Sequence, residues 1–198
     1  MRDALHALKY GGLRPAARGL GRMLAEAIGQ LAAVAPSQML VVAVPLHRSK
    51  HRGRGFNQAH MLAVQALAHL RQTHPSWRLE LAAGMLVRQR STQSQAGLTP
   101  RQRRINLRGA FRVAEPAAVA GKHVLLVDDI LTTGATARAA AQALAKAGAA
   151  TVWVATLARA RRTGVHHSGS AALPAVPGNS LSIDQMNESR LAQNQPSF

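Results

Sequence analysis

The sequence contains no cysteine, which removes disulfides, thiolate zinc sites, iron–sulfur ligation and cysteine nucleophiles together. Aromatic residues are only 3% of its 198 positions, two Trp, one Tyr and three Phe, so a broad platform of rings for stacking unpaired bases has little material. Acidic residues are scarce too. Eight Asp and Glu stand against 25 Lys and Arg, a formal net charge of +17, and that excess points to anionic partners. No apolar run approaches the roughly 18 residues of a membrane span, and no continuous apolar stretch precedes a cleavage site near the N-terminus. The expectation is a soluble, cytoplasmic chain with no membrane insertion, and the missing disulfides fit a reducing compartment.

What is present has the size of one domain, since domains run to roughly 100–200 residues. Residues 163–198 carry only Arg190, Asp184 and Glu188, leaving 24 basic and six acidic residues, net +18, in residues 1–162. The basic character therefore belongs to the first 162 residues. The remainder is rich in Ser, Asn, Gln, Gly and Pro without sustained apolar period, and a disordered tail over 163–198 is expected because it has too little apolar surface to offset the entropy of ordering.

Leu20, Leu24, Ala27, Ile28 and Leu31 recur at helical spacing and predict an amphipathic helix over about 14–34. Met39–Val44 reads as a buried strand that opens at Pro45 into a polar loop, with a helix from Asn57 to about Arg71. Short strands are expected at Met85–Val87 and Ala110–Val113, separated by a long polar excursion of the kind that forms functional loops. Val124–Val127, a helix over about Gly134–Ala147 and Thr151–Thr156 complete an alternation of strands and helices that implies a mostly parallel sheet.

Val124–Thr136 carries the chemistry most plainly: an apolar strand runs into Asp128 and Asp129 and then a small, hydroxyl-rich turn at a helix start. Ligands of open α/β sheets bind at such strand ends. Backbone amides around Thr132, Thr133, Gly134 and Ala135, with Thr136 behind them and the helix dipole aligned, suit a phosphate. The two acids would repel phosphate, yet they can accept hydrogen bonds from hydroxyls or hold a hydrated divalent cation. A phosphorylated sugar satisfies both halves. The purely structural alternative is that the acids cap the turn and the threonines start a helix.

This stretch resembles the thirteen-residue signature of type I phosphoribosyltransferases, which bind phosphoribosyl pyrophosphate (PRPP). The resemblance implies that Asp128 and Asp129 hold the ribose 2′- and 3′-hydroxyls and that Thr132, Thr133, Gly134, Ala135 and Thr136 hold the 5′-phosphate. Val44–Gln58 packs Arg48, Lys50, Arg52 and Arg54 into a Gly-containing loop after a strand and ends in RGFNQ, a pattern similar to that of the ComF family, phosphoribosyltransferase-like proteins associated with competence and DNA uptake or use. Those four cations would bind pyrophosphate, the structural alternative being a solvated basic loop. The segment from Arg88, Gln89 and Arg90 through Leu98, Arg101, Arg104, Asn106, Gly109 and Phe111 resembles the family's mobile hood loop, which closes over PRPP, excludes water and brings cations to the departing pyrophosphate.

The resemblance thus implies an α/β, type I phosphoribosyltransferase fold, a mostly parallel twisted sheet flanked by helices, over residues 1–162. It also implies catalytic duty for Asp128, Asp129, Arg88 and Arg90, and Mg²⁺ as cofactor, carried by PRPP and reached by the two acids through water. Family members commonly begin with a cysteine-rich zinc ribbon, which this chain lacks; either the module is lost or the start lies upstream. His47 and His51 lack an acidic partner and do not make a transition-metal site. Two functions remain open: phosphoribosyl transfer with release of pyrophosphate, or a non-catalytic PRPP-sensing or nucleic-acid-binding accessory role. In the second, Arg101, Arg103, Arg104 and Arg108 join the basic loop in binding single-stranded DNA. A homodimer or a competence-machinery partner is compatible with either.

Overall fold

The computed structural model describes residues 14–46, 56–90, 99–159 and 172–175. Its centre is a five-stranded sheet built from β1 (Gln38–Ala43), β2 (Arg78–Leu81), β5 (His123–Leu131), β6 (Thr151–Arg159) and β7 (Ala172–Ala175), in the order β2-β1-β5-β6-β7. The first four strands run parallel and β7 joins β6 antiparallel. A separate two-stranded antiparallel ribbon pairs β3 (Leu86–Arg88) with β4 (Phe111–Val113). From β1 the chain moves outward to β2, then returns to place β5 on the other side of β1, so the direction of winding reverses between β1 and β5.

Successive strand residues alternate between faces, and two cores result. Met39, Val41, Leu125, Val127, Ala155 and Leu157 pack with the helices α1 (Arg14–Gly29) and α2 (Gln58–Thr73). Val42, Val124, Leu126, Val152 and Val154 pack on the opposite face with α5 (Ala135–Lys146), the β3–β4 ribbon, Leu107 of α3 (Pro100–Leu107) and Val119 of α4 (Pro116–Val119). Strands buried on both faces explain the nearly unbroken apolar runs at 39–44 and 124–127. Gly21 permits the close approach of α1 and α2: a Cβ there would lie 2.3 Å from the Cβ of Gln65.

Several expectations shift. The first helix ends at Gly29 rather than near Val34, and Arg78–Leu81 adds a half-exposed edge strand. The hood segment, expected as loop, contains α3. Thr99 accepts from the Gln102 amide while the Gln102 side chain accepts from the Thr99 amide, a capping box completed by Pro100. β5 continues through the acidic pair to Leu131, because β6 offers partners as far as Arg159. Within 163–198, where disorder is expected, Ala172–Ala175 pair with the β6 edge; an edge strand presents free backbone donors and acceptors that such a segment can use, Pro174 being tolerated at the rim. The rest of that segment lies outside the described residues.

Leu126 is fully buried between β5 and α5, so Leu126→Ala should cost about 2–5 kcal/mol through lost transfer energy and a cavity; urea unfolding measures it.

Candidate phosphate and ribose site

The site lies where β1 and β5 end side by side. Leu40, Val41, Val42 and Ala43 are in register with Val124, Leu125, Leu126 and Val127, and the Val44 amide extends the ladder to the Val127 carbonyl at 2.8 Å. The next residue of β5 is Asp128. The basic segment begins after Leu46, so both motifs leave the carboxyl edge at the reversal of strand order, the position where open α/β sheets bind ligands.

Asp128 Oδ1 accepts from the Asp129 amide at 2.9 Å, and Asp129 Oδ1 from the Ile130 amide at 2.8 Å. Both residues are half-buried and have further partners. Asp128 continues the alternation of Val124 and Leu126 onto the face that carries the β3–β4 ribbon, and the alternation then breaks, since Ile130 packs with the α1–α2 core and Leu131 with the α5 core. Arg88 comes to the same neighbourhood from β3. Burial lowers the pKa of its guanidinium and the negative charge of Asp128 opposes that effect; the guanidinium carbon also lies 5.5 Å from the centre of the Phe111 ring, a cation–π contact across the ribbon. Arg90 is exposed and donates to the Arg108 carbonyl at 3.2 Å, closing the base of the hood rather than meeting the acids in this geometry.

The turn after β5 fits an anion in part. Gly134 caps α5 with φ of 69°, a left-handed conformation that a side chain adopts only with strain. Thr133 Oγ1 accepts from the Ala135 amide at 3.4 Å, and Thr132 and Thr136 have partners of their own. The sequence reading overlooked Arg138. One turn into α5, its guanidinium folds back to donate to the Thr133 carbonyl and lies 3.6 Å from where a Cβ of Gly134 would be. The available signal was spacing: a residue four positions after the N-cap glycine overlies the turn.

Asn57 is the helix cap of α2. Its Oδ1 accepts from the Ala59 and His60 amides and its Nδ2 donates to the Val44 carbonyl at 3.1 Å, so the asparagine of RGFNQ ties the helix to the end of β1. Arg48, Lys50, Arg52 and Arg54 lie outside the described residues, as do Ser91–Leu98. No cluster of three or more His, Asp and Glu suited to a metal occurs among the described residues. Two carboxylates without a third ligand among the described residues suit Mg²⁺ that keeps waters and takes other ligands from substrate phosphates, the usual arrangement for this reluctantly dehydrated ion.

An acidic pair and a helix-start turn at the switch point of a parallel sheet, flanked by a cation-bearing ribbon, define an α/β protein with a strand-end site at its topological switch point. The phosphoribosyl transferase domain model matches residues 49–172, and the chain belongs to that family. It is 38% identical over 157 residues to DNA utilization protein YhgH of Escherichia coli O157:H7, covering 78% of this chain and 65% of the relative. It is also 33% identical over 121 residues to Competence protein F of Haemophilus influenzae, covering 61% and 50% respectively. These relatives agree with the ComF resemblance, and the chain spans just under two thirds of the length of the first of them. Among solved structures, glutamine PRPP amidotransferase from B. subtilis aligns over 71% of this chain and 26% of its own at 25% identity with a TM-score of 0.40, and TT1426 from Thermus thermophilus over 71% and 72% at 19% identity with a TM-score of 0.39.

Gly134→Ala should destabilise the chain by about 1–2 kcal/mol, the cost of the left-handed conformation for an L-residue, since the space itself is open to a methyl group. Thermal unfolding reads this cost.

Proposed function

We propose that the chain binds PRPP with Mg²⁺ at the β1–β5 switch point and transfers its phosphoribosyl group with release of pyrophosphate. The observation that carries this reading is the adjacency of Val44 and Val127, which sets the acidic pair and the basic segment on neighbouring strand ends. In this reading Asp128 and Asp129 accept from the ribose hydroxyls, and the turn Thr132–Thr136 takes the 5′-phosphate, with Arg138 able to exchange the Thr133 carbonyl for a phosphate oxygen. Arg48, Lys50, Arg52 and Arg54 meet the pyrophosphate. Mg²⁺, held by substrate phosphates and reached by the acids through water, would neutralise the leaving group.

Loss of pyrophosphate leaves positive charge on the ribose ring, so the protein's share of catalysis is positional and electrostatic. Asp128 is then set between Arg88 and the sugar, where its carboxylate stabilises the developing cation while Arg88 balances it. The hood from Arg88 to Phe111 excludes water and supplies cations. Residues 1–162 act as the transferase domain, in the cytoplasm, and the relatives' names, DNA utilization protein and Competence protein F, support a role in DNA utilisation or competence.

A second reading, an accessory protein that binds nucleic acid, draws support from the net +18 of residues 1–162. Phosphate contacts alone would give such a chain sequence-indifferent affinity for single-stranded DNA that falls steeply with salt.

Calorimetry with PRPP tests the first reading: binding should require Mg²⁺ and weaken at least ten-fold in Asp128→Asn combined with Asp129→Asn, with the unfolding midpoint little changed. Equal affinity in both proteins would remove the assignment. For the second, fluorescence anisotropy at roughly 50 mM salt should detect single-stranded DNA, and millimolar PRPP with Mg²⁺ at constant ionic strength should displace it if the basic loop serves both ligands. Undetectable DNA binding would leave transfer as the better account.

A further inference from the structure

A cavity of about 410 Å³ opens beside the carboxyl end of β1, within the usual size range of small-molecule sites. It is bounded by Leu46 as the chain leaves β1, by Phe56 and His60 at the start of α2, by Ala82 just after β2 and by Leu86 at the start of β3. No residue of this lining is used by the ribose and phosphate assignments.

Its position ties it to the same reaction centre. Ala43, in the cavity wall, is in register with Val127, the residue before Asp128, so the wall stands one strand spacing, about 4.8 Å, from the strand that carries the acids. Leu46 and Phe56 both border the cavity, and the four cations of the basic loop fall between them in sequence.

Its chemistry is unusually plain. Two polar side chains among the described residues face it, Asn57 and His60. The Asn57 carboxamide is committed to the α2 cap and the Val44 carbonyl. That leaves the His60 imidazole, which enters no hydrogen bond among the described residues. Among the described residues an occupant is therefore met by mostly apolar side chains, one aromatic ring and one imidazole, with backbone groups supplying further polar surface. A purine or pyrimidine base would bring several polar edges into such a lining, and each unpaired edge would carry a desolvation cost.

Resting on the reading that PRPP occupies the switch point, we propose that this cavity is the acceptor site and that the acceptor is a neutral ring-shaped amine or nitrogen heterocycle of mostly apolar surface, its reactive N–H facing His60. The acceptor nitrogen forms a bond to the anomeric carbon as the bond to the pyrophosphate oxygen breaks. The electron pair of that bond leaves with pyrophosphate, and the proton of the acceptor nitrogen passes to the imidazole of His60 and from there to water. The products are an N-ribosyl 5-phosphate, pyrophosphate and a proton, so no further reactant is needed.

Benzimidazole is a suitable probe, titrated into the full chain by calorimetry and saturation-transfer NMR with PRPP and Mg²⁺ present. Saturable binding is expected, weakened at least ten-fold in Ala82→Phe, which fills the cavity, and in His60→Leu, which keeps the apolar surface and removes the imidazole. Adenine should bind at least ten-fold more weakly than benzimidazole, and PRPP affinity, measured on every variant, reports that the fold is intact. Benzimidazole binding that is absent, or equal in wild type and both variants, or weaker than that of adenine, while PRPP binds normally, overturns the cavity assignment alone. Failure of PRPP to bind the wild type overturns the functional reading and the acceptor role together.

Discussion

The parallel pairing of β1 with β5 is the constraint on which the molecule depends. Four residues of each strand are in register, and one further bond, Val44 to Val127, carries the ladder to the carboxyl edge. A slip of one residue would exchange every side chain between the two faces, driving Val124 and Leu126 toward α1 and α2 and leaving α5 without its core. The same slip would separate Asp128 from the start of the basic segment. Packing and site geometry are therefore fixed by one set of backbone bonds, with apolar burial on both sides enforcing them.

Charge is organised around that edge. Few acids exist in this chain, and two of the eight are consecutive at the end of the central strand. They are held by local amide bonds, and Asp128 is faced by Arg88 from the ribbon. The ribbon in turn is anchored by Leu86, Phe111 and Val113 in the second core, and its Arg88 is braced by Phe111. Arg138 adds a cation at the start of α5, bound meanwhile to the turn it overlies.

Most of the fold was legible because burial on both faces writes itself as unbroken apolar runs and the helices keep a 3.6-residue period. The central strands, the long helices and the parallel arrangement follow from that. The edge strand Arg78–Leu81 was hidden by its half-exposed Arg-Leu-Glu-Leu alternation, too short to stand out. α3 was obscured by the charge of its sequence, although Thr99-Pro-Arg-Gln102 is a capping-box signature. β7 has no period to find; it exists through the open edge of β6.

For the site, sequence alone determined the residue types and their local order: an acidic pair after a buried strand, a Gly- and Thr-containing turn before a helix, and a dense basic segment after another strand. These are short-range facts, carried by neighbours along the chain. Tertiary structure decided what meets what. It placed the ends of β1 and β5 together across more than eighty residues of sequence, brought Arg88 to Asp128, gave Asn57 to the framework, folded Arg138 over the turn before α5 and opened a cavity between three separate segments. Contacts between residues far apart in the chain depend on sheet order and register, and those are properties of the packed whole that no single segment encodes.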